Sequence, residues 1–269
     1  MTEGERLYRT EGVILKRSDF GEADRLLTIY TPDRGKLRVI AKGVRKTTSR
    51  KSGHVELFVR SRLLLARGRN MDIVTQAEMV QPFLGLRDDL VRVSYACYAG
   101  ELLDAFTTEA EENQPLYDLL LDILGWIEQE TDLDRAMRCY ELRLLDLAGF
   151  RPQLFTCASC RQDIEPLPSN YYSSEAGGVL CPRCGVNLAG AAPISLNALK
   201  VLRYFQTRDY EICRQVSISP AVHREVERIL YQHIVYHLEK QLKSTDFLQL
   251  LRRQAWHLQQ ESAQRKDAL

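Results

Sequence analysis

A chain of 269 residues, 45% hydrophobic and with a formal net charge of +1, has room for one to three ordinary cores. It has no run of about 18 uninterrupted apolar residues, which a membrane span needs; its best candidate, LYDLLLDILGWI, is broken by Asp118 and Asp122. The opening MTEGERLYR is polar and partly acidic and does not read as a signal peptide, so a reducing cytoplasm is the expected compartment.

The near-neutral total hides an asymmetry. Residues 1–80 hold 17 Lys and Arg against 10 Asp and Glu, whereas residues 81–269 hold 20 against 26. A basic first module suits a polyanion, and an acidic remainder is freer for protein contacts.

Strand formers bounded by turn residues predict strands over residues 7–17, 25–31, 36–42, 55–66 and 71–80, with turns at FGEAD, PDRG and Gly68–Asn70. Five strands in about 80 residues without a helix-length pattern suggest a small barrel. OB-fold and SH3-like barrels both fit, and the strand count with a long basic loop favours the OB type.

The stretch RGKLRVIAKGVRKTTSRKSG, residues 34–53, is where the charge concentrates. Residues 34–69 carry twelve Lys or Arg against one acid, Glu56. Alternation along a strand puts Lys36, Arg38 and Lys42 on one face and Leu37, Val39 and Ala41 towards a core. The following loop adds Arg45, Lys46, Arg50 and Lys51 on a backbone expected to be flexible. Three basic residues alone are as well explained by a solvated strand face. The loop, with Arg34, Arg60, Arg62, Arg67 and Arg69, tips the reading towards a nucleic-acid-binding surface. Few aromatic residues accompany it (Tyr8, Phe20, Tyr30 and Phe58), so binding should rest on phosphates rather than stacked bases and depend strongly on salt.

From Pro82 the apolar period becomes helical. Helices are predicted over residues 86–106, 115–127 and 133–147, with Gly149 as a C′ glycine and Pro152 preventing continuation. Ser195 and Ser219 (the latter followed by Pro220) read as N-caps of helices over residues 195–205 and 219 to about 242. A shorter helix is expected over residues 246–253, and then a polar tail. The predicted organisation is α+β and multidomain. It comprises an OB barrel (1–80), a helical bundle in two halves (81–152 and 191–253) that pack together, a zinc-binding segment between them (153–190) and the tail (254–269).

Cys157, Cys160, Cys181 and Cys184 form C-x2-C-x20-C-x2-C. Two such knuckles can close a tetrahedral four-sulfur site of the kind Zn2+ prefers. Between them NYYSSEAGGVL reads as a hairpin. With all four positions filled by protein, the site is structural. A pair of redox dithiols, for which no βαβ context surrounds either motif, and a relic site that no longer holds metal are the alternatives. Cys97, Cys139 and Cys213 fall on apolar helix faces and read as core. His233 and His237 are four apart on a helix but lack the acid of a zincin motif, and they read as ordinary helix residues. No P-loop, GxGxxG or GxSxG motif is present, and nothing nominates a nucleophile or general base.

The opening elements EGVILK (11–16), EADRLLTIYT (22–31), GKLRVIAKGVRK (35–46) and Ser49-Arg50, with YELRLLDLAGFRPQLFTCASC (140–160), resemble the bacterial recombination mediator family RecO over residues 7 to about 250. The resemblance implies an OB-fold, a helical domain and a zinc-binding insertion. It also implies a non-enzymatic protein of RecF-pathway DNA repair in the bacterial cytoplasm, associated with the nucleoid. Such proteins bind single- and double-stranded DNA and anneal complementary strands coated with single-stranded DNA-binding protein (SSB). With RecR they help load RecA. Family members engage the acidic, Phe-ended SSB tail through a basic and apolar pocket of the helical domain, for which Arg138 and Arg143 are candidates here. Some members lack the full cysteine quartet, so zinc is not essential to the family's activity. A rival reading is an RNA-binding or translation-associated OB-fold zinc protein. A metal-dependent nuclease is disfavoured because no open Asp/Glu/His cluster is visible.

Overall fold

The computed structural model describes residues 6–242 and 244. The helix expected over residues 246–253 and the tail 254–269 lie outside the described residues. The chain divides into two compact units, Met1–Gln129 with Leu242–Leu269, and Glu130–Gln241.

The first unit is built on a closed five-stranded barrel in the order β1-β2-β3-β5-β4. Its strands are β1 (Leu7–Phe20), β2 (Asp24–Thr31), β3 (Gly35–Ala41), β4 (Arg60–Ala66) and β5 (Asp72–Gln81). All neighbours are antiparallel except β3 and β5, which run parallel and pair only at Val39–Asp72 and Ile40–Ile73. The interior follows from two-residue alternation: Leu27 and Ile29, Val39 and Ala41, and Leu63 and Leu65 meet Tyr8, Ile14 and Val74 inside.

The run expected as one long strand from residue 55 divides instead. Its first part is a 3-10 turn, Ser52–Val55, and strand structure begins only at Arg60. The buried residues Val55, Phe58 and Val59 are spaced by three and then one, which no pleat accommodates. Phe58 adopts a left-handed φ of 59°, and its amide bonds the Ile14 carbonyl at 2.8 Å where β1 bulges.

Helices α1 (Leu90–Phe106) and α2 (Gln114–Gln129) fall in the same compact unit as the barrel, and the second unit begins at Glu130. α1 begins four residues later than expected because Asp89 caps it, accepting from the Val91 and Arg92 amides. It lies close on the barrel through Gly100, where a Cβ would come within 3.4 Å of the Phe58 ring and 3.7 Å of Leu15. The segment after α1 fills the gap between β3 and β5: the Ala110 amide bonds the Lys36 carbonyl at 3.0 Å, and Lys36 bridges to Glu109. Gly35 permits this approach, since it holds φ at +58° and a Cβ would overlap the Glu111 carbonyl oxygen.

The second unit packs α3 (Leu133–Leu147), α5 (Leu196–Thr207) and α7 (Pro220–Leu238) together. Ser195 accepts from the Ala198 amide, and Glu225 of α7 takes the Ser195 amide and hydroxyl at 2.7 and 2.6 Å. α7 ends at Leu238, short of the expected residue 242, because Glu239 turns left-handed at φ 52°. Cys139 and Cys213 are fully buried, as expected, while Cys97 is half-buried.

Replacing Gly35 with Ala should lower unfolding free energy by at least about 2 kcal/mol, from left-handed strain plus backbone overlap. Urea denaturation should show an earlier midpoint.

Candidate nucleic-acid interface and metal centre

The basic residues of β3 and its loop have different environments. Lys36 is not on a free face. Its side chain is 12% exposed, and its amine donates to the Asp104 and Thr107 carbonyls at 2.7 Å each and sits 3.1 Å from Oδ1 of Asp104. An ammonium has three protons, and all three are spent at the C-terminal end of α1, where the helix dipole favours a cation. The Asp104 carboxyl is partly buried, which alone would raise its pKa. Hydrogen bonds from Lys16 and Lys36 outweigh burial and hold it below the usual range.

Arg38 and Lys42 do face outward. Among the described residues Arg38 pairs only with Glu109, at 4.0 Å. The loop that follows is pinned rather than slack. Val44 and Val55 are buried in the barrel core, the Gly43 amide bonds the Asp24 carboxylate at 2.7 Å, and the Arg45 amide bonds the Ala23 carbonyl at 2.9 Å. Lys51 turns inward and donates to the Val74 carbonyl at 2.9 Å, and its burial lowers its pKa. Arg45 pairs with Asp19 at 3.3 Å. Arg34 lies over the Tyr8 ring and beside Asp33. Among the described residues this leaves Lys42, Lys46 and Arg50 as exposed cations of the loop without an acidic partner.

Of the helical candidates, Arg138 is 4% exposed and pairs with Glu141 at 3.0 Å and Glu227 at 3.9 Å, so it is a buried structural ion and not part of a surface pocket. Arg143 is half-buried and bonds the Arg208 carbonyl at 3.2 Å. Sequence alone carried no signal for the partners of Lys36 or Arg138, because period and spacing do not say which acids arrive from distant elements.

The cysteines converge. The four sulfurs lie within 4.8 Å of one another, and Cys160 and Cys181 are 3.9 Å apart. Ligands about 2.3 Å from a tetrahedral centre stand about 3.8 Å from each other, so the quartet fits a metal of that size. The hairpin expected between the knuckles is present as β6 (Tyr171–Ser173) and β7 (Gly178–Leu180), with a third short strand, β8 (Ala192–Pro193), beside β6. A one-turn helix, α4 (Pro182–Gly185), forms the second knuckle. A Cβ on Gly185 would lie 2.5 Å from Tyr171, so only glycine fits there. Burial would raise the Cys157 thiol, but the amides of Cys160, Cys181 and Ser159 outweigh it and bring it to about 6. Amides aimed at a sulfur favour the thiolate, which is the form that ligates metal.

The ribbon is tied to its helices by backbone carbonyls and one histidine. Arg203 donates to the Leu154 and Ile164 carbonyls at 2.8 and 2.7 Å. His233, 1% exposed, stands 2.9 Å from the Tyr172 hydroxyl through Nδ1 and 3.0 Å from the Phe150 carbonyl through Nε2. A neutral ring with its proton on Nε2 satisfies both: Nε2–H donates to Phe150 and Nδ1 accepts from Tyr172. Burial drives its pKa down to about 4. His237 packs on His233, ring centroids 4.4 Å apart, and among the described residues no third His, Cys, Asp or Glu joins the pair as a metal ligand.

A family described as "Recombination protein O N terminal" matches residues 5–83, and one described as "Recombination protein O C terminal" matches residues 87–246. Proteins named "DNA repair protein RecO" are similar over most of the chain. The one from Roseiflexus sp. (strain RS-1) is 45% identical over 244 residues, covering 91% of this chain and 86% of its own. The one from Dehalococcoides mccartyi is 38% identical over 246 residues, covering 91% and 96%. The one from Symbiobacterium thermophilum is 35% identical, covering 91% and 98%.

Because the unfolded chain protonates His233 near 6.5 and the folded chain only near 4, the unfolded state binds the extra proton between those values. Stability from this site should be full above pH about 6.5 and fall, by up to about 3 kcal/mol, as pH drops to about 4. Urea titrations across that window should show the decline, and H233F should lose part of that slope.

Proposed function

We propose, from the premise that this chain belongs to the RecO family of DNA repair proteins, that it is a non-enzymatic recombination mediator. Its part in recombination repair follows from the family. The finer reading is that it binds single- and double-stranded DNA, anneals complementary strands coated with SSB, and with RecR promotes loading of RecA, alongside RecF, at the bacterial nucleoid. The observation that carries it is the pinned loop with its three unpaired outward cations, Lys42, Lys46 and Arg50, beside Arg38. Two DNA strands repel one another, and a fixed row of cations that neutralises both lowers that cost without bond chemistry. The same surface fits duplex and single strands because it addresses phosphates, which both share.

The cysteine quartet is assigned to one structural Zn2+. Four thiolates leave no open coordination position, so the ion would hold the two knuckles together rather than meet a substrate. The partner surfaces for RecR and for the SSB tail are left to exposed side chains, since Arg138 is committed inside the helical unit.

Three measurements test this reading. Annealing of SSB-coated complementary oligonucleotides, followed by fluorescence transfer, should accelerate on adding the protein, and the acceleration should fade with salt. No acceleration alongside intact DNA binding would sink the mediator role, and a preference for structured RNA would favour the translation-associated alternative. In the K42A/K46A/R50A triple variant the single-strand salt slope should flatten by about 2, at about 0.7 per phosphate contact. Lys36→Ala should leave that slope in place and lower stability instead. Metal analysis should find one zinc per chain, lost in C157S together with the protease resistance of residues 153–190; a full metal complement in C157S would overturn the assignment.

A further inference from the structure

A second basic feature lies at the other end of β3 from the loop. Tyr8 points into the barrel, 9% exposed, and its hydroxyl donates to the Asp72 carboxylate. Two guanidinium groups rest against its ring, Arg34 at 4.3 Å and Arg67 at 5.4 Å from the centroid. Arg34 comes from the turn between β2 and β3 and Arg67 from the turn after β4, so two distant loops converge on one aromatic side chain.

Two acids stand near this pair, and they are placed unequally between its members. Asp72 is occupied by the Tyr8 hydroxyl and by the Gly68 amide at 3.1 Å. Asp33, half exposed, stands 3.5 Å from Arg34. Arg67 has no carboxylate within ion-pair distance among the described residues. Its amide donates to the Arg6 carbonyl at 3.0 Å. Arg34 is the member of the pair set beside Asp33, so Arg67 is the one whose charge an added anion would meet first. A guanidinium fixed flat on an aromatic face keeps its edge donors free for a phosphate oxygen.

We propose that Arg34 and Arg67, held on the Tyr8 ring, form a second phosphate subsite, which takes the backbone of the same nucleic-acid strand that lies on the 42–50 loop. This rests on the DNA-binding reading above and adds a direction to it. Arg34 precedes β3 and Lys42 follows it. Eight extended steps at about 3.3 Å separate them by about 26 Å. Arg38 stands outward between the two. The bound strand runs along β3 and over the β4–β5 turn, not across the loop alone.

The test is binding of single-stranded oligothymidylate about 16 nucleotides long, the upper reach of one OB barrel, to wild type, R67A, R67K and R87A. Arg67 and Arg87 are both exposed, so each variant should fold. R67A should weaken binding about threefold to tenfold and lower the salt slope by about 0.7, while R67K should keep the slope. R67A indistinguishable from R87A overturns the subsite while leaving the functional reading intact. If wild type binds no oligonucleotide, the functional reading itself fails. The subsite is then judged with tripolyphosphate: a rise in melting midpoint that R67A abolishes supports an anion site, and no rise overturns it. Tighter binding of an acidic peptide than of oligonucleotide, lost in R67A, overturns the assignment to nucleic acid.

Discussion

The Lys36 ammonium sits where β3, the end of α1 and the segment behind it meet. Parallel β3 and β5 share only two paired positions, so a barrel of these strands would gape along the first half of β3. The chain after α1 fills that gap, and it is held there by one cation that satisfies the last carbonyls of α1 and the Asp104 carboxylate at once. Gly35 allows the backbones to approach and Gly100 lets the helix lie close. Removing the amine would leave the Asp104 and Thr107 carbonyls without their donor and the Asp104 carboxylate with Lys16 alone, in a half-buried place, which is more costly than losing a surface contact.

That constraint also decides which charges remain for a ligand. Of the eight basic residues of the 34–51 stretch, the fold spends Lys36 and Lys51 on carbonyls, sets Arg45 beside Asp19 and lays Arg34 on the Tyr8 ring. The loop then owes its shape to apolar anchors, Val44 and Val55, which seal the barrel end. Cations on a pinned backbone lose less freedom on meeting a phosphate than cations on a slack one. Few aromatic side chains are exposed on this barrel, which suits contact with phosphates rather than bases.

The second unit solves a different problem. A ribbon of three short strands has little core, and it is ordered around the clustered cysteines at one end and by hydrogen bonds to helices at the other. Arg203 and His233 fasten its carbonyls and Tyr172 to α5 and α7. His233 works there because burial keeps it neutral, leaving one donor and one acceptor that match the two groups it meets.

The sequence determined what depends on local chemistry. Strand formers bounded by turns located the barrel strands apart from the start of β4, Ser195, Ser219 and Pro220 marked helix starts, and the Cys-x-x-Cys spacing named all four members of the sulfur cluster. Composition likewise located the excess of positive charge in residues 1–80. Only the tertiary structure decided which of those charges are free. Lys36 and Asp104 are 68 residues apart, Arg138 finds Glu227 from another helix, and Arg34 and Arg67 reach Tyr8 from separate turns. The tertiary structure also decided what holds the helices of the first unit, since α1 joins the barrel by shape at Gly100 and by charge at Lys36, and α2 through the Tyr117 hydroxyl at Glu11. The physical reason is range: turns, caps and knuckles are fixed by neighbours a few residues away, whereas the partner of a charge is fixed by whatever the folded chain brings within a few ångströms of it.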